Sequence, residues 1–195
     1  MKPVCREEIL SFEDWERVRP RLRPLFIHAR SRRRLAVGAH VTLLFENGQT
    51  IWYQVEEMLR AERIAEPEAV QHEIDTYNEL LPPAGGLGAT MLIEFGETRE
   101  RDAALRRLVG LEKHVWLRLG DRKIPAKFDT RQMSTERVSS VQFVHFDASI
   151  GADTFEELVE AGKVAIEIDH PNLAVSAAIS GAFAHALVED LRGEF

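Results

Sequence analysis

The sequence predicts an α+β fold: a mainly antiparallel sheet packed with several amphipathic helices. Two β-prone runs, Val41-Thr42-Leu43-Leu44-Phe45 and Thr50-Ile51-Trp52-Tyr53, flank Asn47-Gly48, a pair suited to the positive φ values of a type I′ hairpin turn. Apolar spacing then changes to a helical period, with Val55, Met58 and Leu59 at i, i+3 and i+4. Strands and helices follow in irregular order with no glycine-rich strand-to-helix turn, which argues against a regular βαβ sheet. At 195 residues the chain is long enough to bury roughly 70% of its unfolded surface around a core.

Each element has a local cause. Ser11, followed by Glu13 and Asp14, reads as an N-cap with acids in the first turn, opening a short helix that Pro20 and Pro24 interrupt or restart. Arg30, Arg32, Arg33 and Arg34 mark its end, where cations suit the helix macrodipole; phosphate binding is the other use of such a cluster. The hairpin comes next, and its second strand passes into a helix ending near Ile64. Pro67 suits the first turn of another helix, striped by Val70, Ile74, Tyr77 and Leu81 and stopped by Pro82-Pro83.

Ala89 to Phe95 reads as a strand, and a helix from about Arg99 ends at Gly110, a natural residue for the left-handed turn after a helix. Strands are expected at Val115 to Leu119, Lys123 to Phe128 and Val138 to Phe146, the last alternating Val141, Phe143 and His145 with Gln142, Val144 and Phe146. A helix over Thr154 to Ala161, strands at Val164 to Ile168 and Leu173 to Ile179, and a final helix capped by Ser180 and reaching Leu191 complete the chain. A single domain is expected over 1–195, made of a basic helical arm at 1–34 and an α+β body at 35–195.

Charge is unevenly placed. The net charge is −7, yet the arm holds ten Lys/Arg against five Asp/Glu. Such an arm either folds back on the acidic body or recognises an acidic partner, while the overall sign opposes nonspecific nucleic-acid binding. One cysteine, Cys5, excludes an internal disulfide and points to a reducing, cytoplasmic setting. No apolar run approaches the roughly 20 residues that cross a bilayer.

The residues able to carry chemistry gather on the two central helices. Glu62 lies three positions after Leu59 and seven after Val55, on the apolar face, and Glu57 sits on the same helix with Arg60. Glu73 flanks the next stripe beside Tyr77, with Asn78 following. If the helices form a hairpin, Glu62, Glu73, Tyr77 and Asn78 come together, with Arg60 or His40 as countercharge. The result is either a carboxylate-rich pocket, binding a hard metal or accepting a proton, or an ion-pair network joining Glu57, Arg60 and Glu62 to their neighbours. Asp169-His170-Pro171-Asn172 follows a strand, so Asp169 and His170 are either binding residues or part of a turn. No Glu-x-x-His pair, cysteine pair, Walker loop, Rossmann fingerprint or Gly-x-Ser-x-Gly elbow is present, so no cofactor is indicated.

The segments His40-Val41-Thr42-Leu43-Leu44-Phe45-Glu46-Asn47 and Tyr53-Gln54-Val55-Glu56-Glu57-Met58-Leu59-Arg60-Ala61-Glu62-Arg63-Ile64 resemble the bacterial domain-of-unknown-function family 3501. Tyr77-Asn78, Pro82, Ala89-Thr90-Met91-Leu92-Ile93-Glu94 and Asp169-His170-Pro171 extend the likeness over almost the full chain. The resemblance implies gene neighbours similar to rubrerythrin and iron–sulfur oxidoreductases, hence a role near peroxide defence or redox metabolism, and it transfers no catalytic residue. The expectation is an accessory or interaction protein of a redox or oxidative-stress system, with a protein partner or a second copy of itself. The alternative is a small metal-binding protein or enzyme using the carboxylate-rich pocket.

Overall fold

The computed structural model describes residues 2–129, 131 and 134–193. A 3-10 turn at Arg6–Glu8 precedes α1 (Phe12–Ser31), β1 (Arg34–Val37), β2 (Val41–Glu46), α2 (Gly48–Glu62), α3 (Pro67–Asn78) and β3 (Leu87–Ile93). Then come α4 (Thr98–Arg107), β4 (Val115–Leu119), β5 (Arg122–Pro125), β6 (Lys127–Phe128), β7 (Val141–Phe146), α5 (Ala152–Glu160), β8 (Val164–His170), β9 (Leu173–Ala178) and α6 (Gly181–Arg192). The fold is α+β, and every pairing among the described residues is antiparallel. The strands form two sheets, ordered β1-β2-β3-β7-β6 and β5-β4-β8-β9.

One extended segment serves both sheets. Residues 122–125 pair with β4, whereas Lys127 and Phe128 pair with β7, and the intervening Ala126 still donates its N–H to Val115 O at 2.9 Å. The expected single strand from Lys123 to Phe128 is therefore divided between two sheets at Ala126. On the far side β1 meets β9, where Gly38 (φ +70°) lies so close to Val175 that a Cβ would sit 2.8 Å from its Cγ1. The two sheets thus enclose a common interior. Leu43, Met91 and Phe146 from the first sheet meet Leu117 and Ile166 from the second, and α4, α5 and α6 add Leu105, Phe155 and Leu187. Burial stabilises each such side chain by roughly 1.5–3 kcal/mol.

A second apolar cluster lies outside the first sheet, where Ile51, Val55 and Leu59 of α2 meet Val70 and Ile74 of α3, with Val4 and Leu80 closing it. These two helices are reached by a correction to the expected hairpin. Asn47-Gly48 is not a turn, and Thr50 to Tyr53 is not a strand. Asn47 keeps an extended backbone (φ −136°, ψ 178°) and caps α2: its Oδ1 accepts the Thr50 N–H and its own N–H donates to Thr50 Oγ1, both at 2.9 Å. Its Nδ2 donates to Asp190 of α6 at 2.7 Å, a partner 143 residues away that holds the side chain in the capping position. The hairpin partner of β2 is β1, joined through Gly38.

Helix α1 also departs from expectation: it is continuous across Pro20 and Pro24. Each proline removes one intrahelical hydrogen bond. Anchors on either side offset that loss. Trp15, 1% exposed, sets its ring edge-on to Trp52 and Tyr53, and Phe26 stacks on Tyr53 with centroids 4.6 Å apart. The arm is therefore laid along α2. Its terminal arginines are taken up by acids of the body: Arg32 by Glu189, Arg33 by Asp190 and Arg34 by Glu94. Among the described residues no helix is long and apolar enough to cross a membrane.

Candidate functional site

The segment ahead of α1 is strapped across α2 and α3. Asn78 holds Val4 by two reciprocal bonds, accepting its N–H at Oδ1 and donating from Nδ2 to its carbonyl, each at 2.9 Å. Trp52 Nε1 donates to Glu8 O at 2.9 Å, and Leu10 N–H donates to Glu56 Oε1 at 2.8 Å. Between this strap, the start of α1 and the facing sides of α2 and α3 lies a cleft of about 310 Å³, lined by Leu10, Phe12, Leu59, Ile64 and Val70 and floored by Glu56.

Glu56 is the chemically unusual group. Its residue is 2% exposed, yet the carboxyl accepts only the Leu10 N–H, and Oε2 has no partner among the described residues. Burial pushes its pKa up to about 7, against the lowering effects of the Leu10 N–H and the Arg6 charge, so the group is poised between its acid and base forms near neutrality. Such a carboxyl can donate or accept a proton at pH 7, or bind a donor. Helical position gave one clue, since Glu56 directly follows Val55 of the buried stripe. The covering strap, which decides the matter, is a contact across 46 residues.

Its neighbour Glu57, a sequence candidate, faces a different environment. Arg19 grips it with Nε and a terminal nitrogen at 2.6 and 2.8 Å, and Trp15 Nε1 donates to it at 3.2 Å. The Arg19 bond, chiefly, holds this carboxyl below the ordinary range. Arg60 pairs with Glu16. Glu62 is exposed at the end of α2 and Glu73 half-buried on α3, neither hydrogen-bonded among the described residues. Tyr77 lies near both: burial raises its hydroxyl pKa most, Glu73 next, with Glu46 and Glu62 adding and Arg30 opposing. The fourth member expected there, Asn78, is spent on the strap. His40 is remote from this group, stacked on Phe95 with centroids 4.1 Å apart and bonded through Nδ1 to Glu94 O.

Asp169 and His170 end β8, where Pro171-Asn172 turns the chain into β9. His170 is 5% exposed; Nε2 lies 3.2 Å from Val109 O, and Nδ1 accepts the Asn172 N–H. Both ring nitrogens are thus occupied by backbone. Asp169 is held below its ordinary range by the Trp116 indole and by His114, whose Nδ1 is 3.0 Å away. Trp116 Nε1 is buried with no hydrogen-bond partner among the described residues, so the His114 contact is the one with hydrogen-bond geometry. Among the described residues no group of three or more His, Cys, Asp or Glu side chains is arranged to hold a metal ion.

A larger, more open cleft of about 560 Å³ lies on the other side of the strap. Leu22, Leu25, Phe26 and Ala29 of α1 form one wall, Gly48 and Trp52 of α2 another, and Pro3 and Val4 the third. Leu25, on the cleft side, is 65% exposed; Ile27, two residues on and so on the opposite side of the helix, is 51% exposed. Arg21 and Arg23 on the same helix make no ion pair among the described residues.

Fold and site together define an α+β protein with a double-sheet core and a helical flank that carries two apolar clefts, one of them floored by a buried carboxyl. The chain belongs to the family described as protein of unknown function DUF3501, which matches residues 3–191. It is similar to a protein of unknown function from Burkholderia pseudomallei K96243, whose crystal structure at 1.90 Å shares 34% identity and a TM-score of 0.85 over 97% of this chain and 99% of that one. No curated protein matches it.

Proposed function

We propose that this protein is an interaction protein whose α1 helix presents a basic and apolar face to a protein partner bearing acidic and apolar side chains. The observation that carries this reading is the exposure of Leu25 at the 560 Å³ cleft, one helical turn from Arg21, which makes no ion pair among the described residues. A large apolar side chain exposed at the rim of an open apolar cleft is an ordinary mark of a contact surface, and a flanking cation selects an acidic counterpart. The cytoplasmic redox setting implied by the family resemblance is one specific form of this reading, with a rubrerythrin-like or iron–sulfur protein as the partner.

The test uses purified rubrerythrin-like and iron–sulfur oxidoreductase proteins of the native host as probes in biolayer interferometry. One of them binds the wild-type protein, and Leu25→Glu with Leu22→Glu weakens that binding by about tenfold or more, as expected for loss of central apolar anchors. Added salt weakens it further. Binding that survives the double variant unchanged would place the interface elsewhere, and no binding to either probe would remove the redox form of the reading.

A further inference from the structure

The Glu56 cleft is a different site from the α1 face, and it poses a chemical question that the fold leaves open. A carboxyl this deeply buried is ordinarily saturated with donors. Glu56, which lines the cleft, has one, on Oε1, while Oε2 accepts none among the described residues and is not sealed from solvent. A ligand donor would complete it.

The surroundings specify that donor. Arg6 lines the same cleft, is exposed, makes no ion pair among the described residues, and lies near enough for its charge to act on Glu56. Arg60, also on the wall, is already neutralised by Glu16. A simple amine would meet Glu56 but leave Arg6 without a partner, and a simple carboxylate would meet Arg6 but be repelled by Glu56 and Glu13. A zwitterion satisfies both. Ser11 and the exposed Glu13 also line the cleft and the rest of the wall is apolar, and about 310 Å³ lies at the small end of ligand pockets, which span roughly 300–1,000 Å³. That size suits one amino acid.

We propose that the cleft binds an apolar α-amino acid, with its ammonium group on the Glu56 carboxylate, its carboxylate on the Arg6 guanidinium, and its side chain against Leu10, Leu59 and Val70. The ammonium supplies the donor that Oε2 lacks and holds Glu56 in its ionised form. Arg6 acts as a bidentate clamp, a geometry that a lysine would not reproduce.

Isothermal titration calorimetry with L-leucine, and separately with its half-ligands isoamylamine and 4-methylpentanoate, tests this at about pH 8, where an acid with pKa near 7 is mostly ionised. Leucine gives saturable binding, and each half-ligand binds about tenfold more weakly or worse, having lost one charge-assisted contact. Glu56→Gln, which retains an acceptor for the Leu10 N–H, weakens leucine by about tenfold or more. Arg6→Gln, at an exposed position where folding is not at stake, weakens leucine but leaves isoamylamine unchanged or tighter. Asp121→Asn, in the exposed turn between β4 and β5, has no effect. Absence of saturation with leucine, wild-type affinity in Arg6→Gln, or isoamylamine binding as tightly as leucine would overturn the proposal.

Discussion

Asp190 and Glu56 are equally buried, each 2% exposed, and their surroundings could hardly differ more. Asp190 accepts two bonds from Arg33, at 2.8 and 2.7 Å, and a third from Asn47 at 2.7 Å. Glu46, as deeply buried, is held by three neutral donors, Thr50, Gln54 and Thr90. Glu56 has a single backbone N–H. Saturated acids join elements: Asp190 ties α6 to the end of α1 and the start of α2. An unsaturated acid costs stability in its charged form, and a fold keeps such a group where something else completes it.

The largest way to break the comparison is to make Asp190 resemble Glu56. Arg33→Met leaves Asp190 buried with only Asn47, and urea unfolding should show a loss of about 3–5 kcal/mol. Adding Asp190→Asn to the same chain should recover part of it, because the neutral amide needs no countercharge and its oxygen can still accept from Asn47. If the double variant stays as unstable as the single one, the ion pair contributes more than mutual neutralisation.

Making Glu56 permanently neutral has a smaller effect with a definite pH signature. Its folded pKa, about 7, exceeds its ordinary value of 4.5, so the native state holds the proton more tightly than the unfolded chain. Stability therefore falls as pH rises from about 4.5 to about 7, and the deficit persists above. Glu56→Gln should raise stability at about pH 8 by ~1–2 kcal/mol after allowance for solvent screening, and leave it unchanged at about pH 4. Melting curves at the two pH values read the difference. The least effect belongs to Glu57→Gln: that ion pair is part-exposed, at 27% for Glu57 and 23% for Arg19, and its loss should cost under about 1 kcal/mol.

How much of this was legible in the sequence depends on the range of the deciding contact. Helix α3 begins at Pro67 and β4 spans Val115–Leu119, as read from local signals alone. At Asn47 the local signal was ambiguous, because asparagine serves equally in a type I′ turn and at an N-cap. Thr50 and the distant Asp190 decided for the cap. The prolines of α1 signal an interrupted or restarted helix, but the helix is continuous because the packing of Trp15 and Phe26 overrides them. The same limit governs the candidate site. The α2 stripe indicated that a carboxylate would be trapped beside it, but periodicity could not choose between neighbouring glutamates, since the choice is made by the strap and by Arg19. Glu62 falls at the last helical turn, beyond the cover of either.

The strap has a thermodynamic consequence. Its residues alternate in service: Pro3, Val4 and Glu8 line the cleft beside α1, while Arg6, Ile9 and Leu10 line the one above Glu56. Lifting the segment would therefore dismantle both sites, and an occupant of either would favour the lowered state. By linkage that influence is reciprocal, each ligand tightening the other by the same factor with no contact between them. Residues 2–10 thus give the protein the parts of a two-input device, in which a small molecule and a protein partner would report on each other through one shared wall.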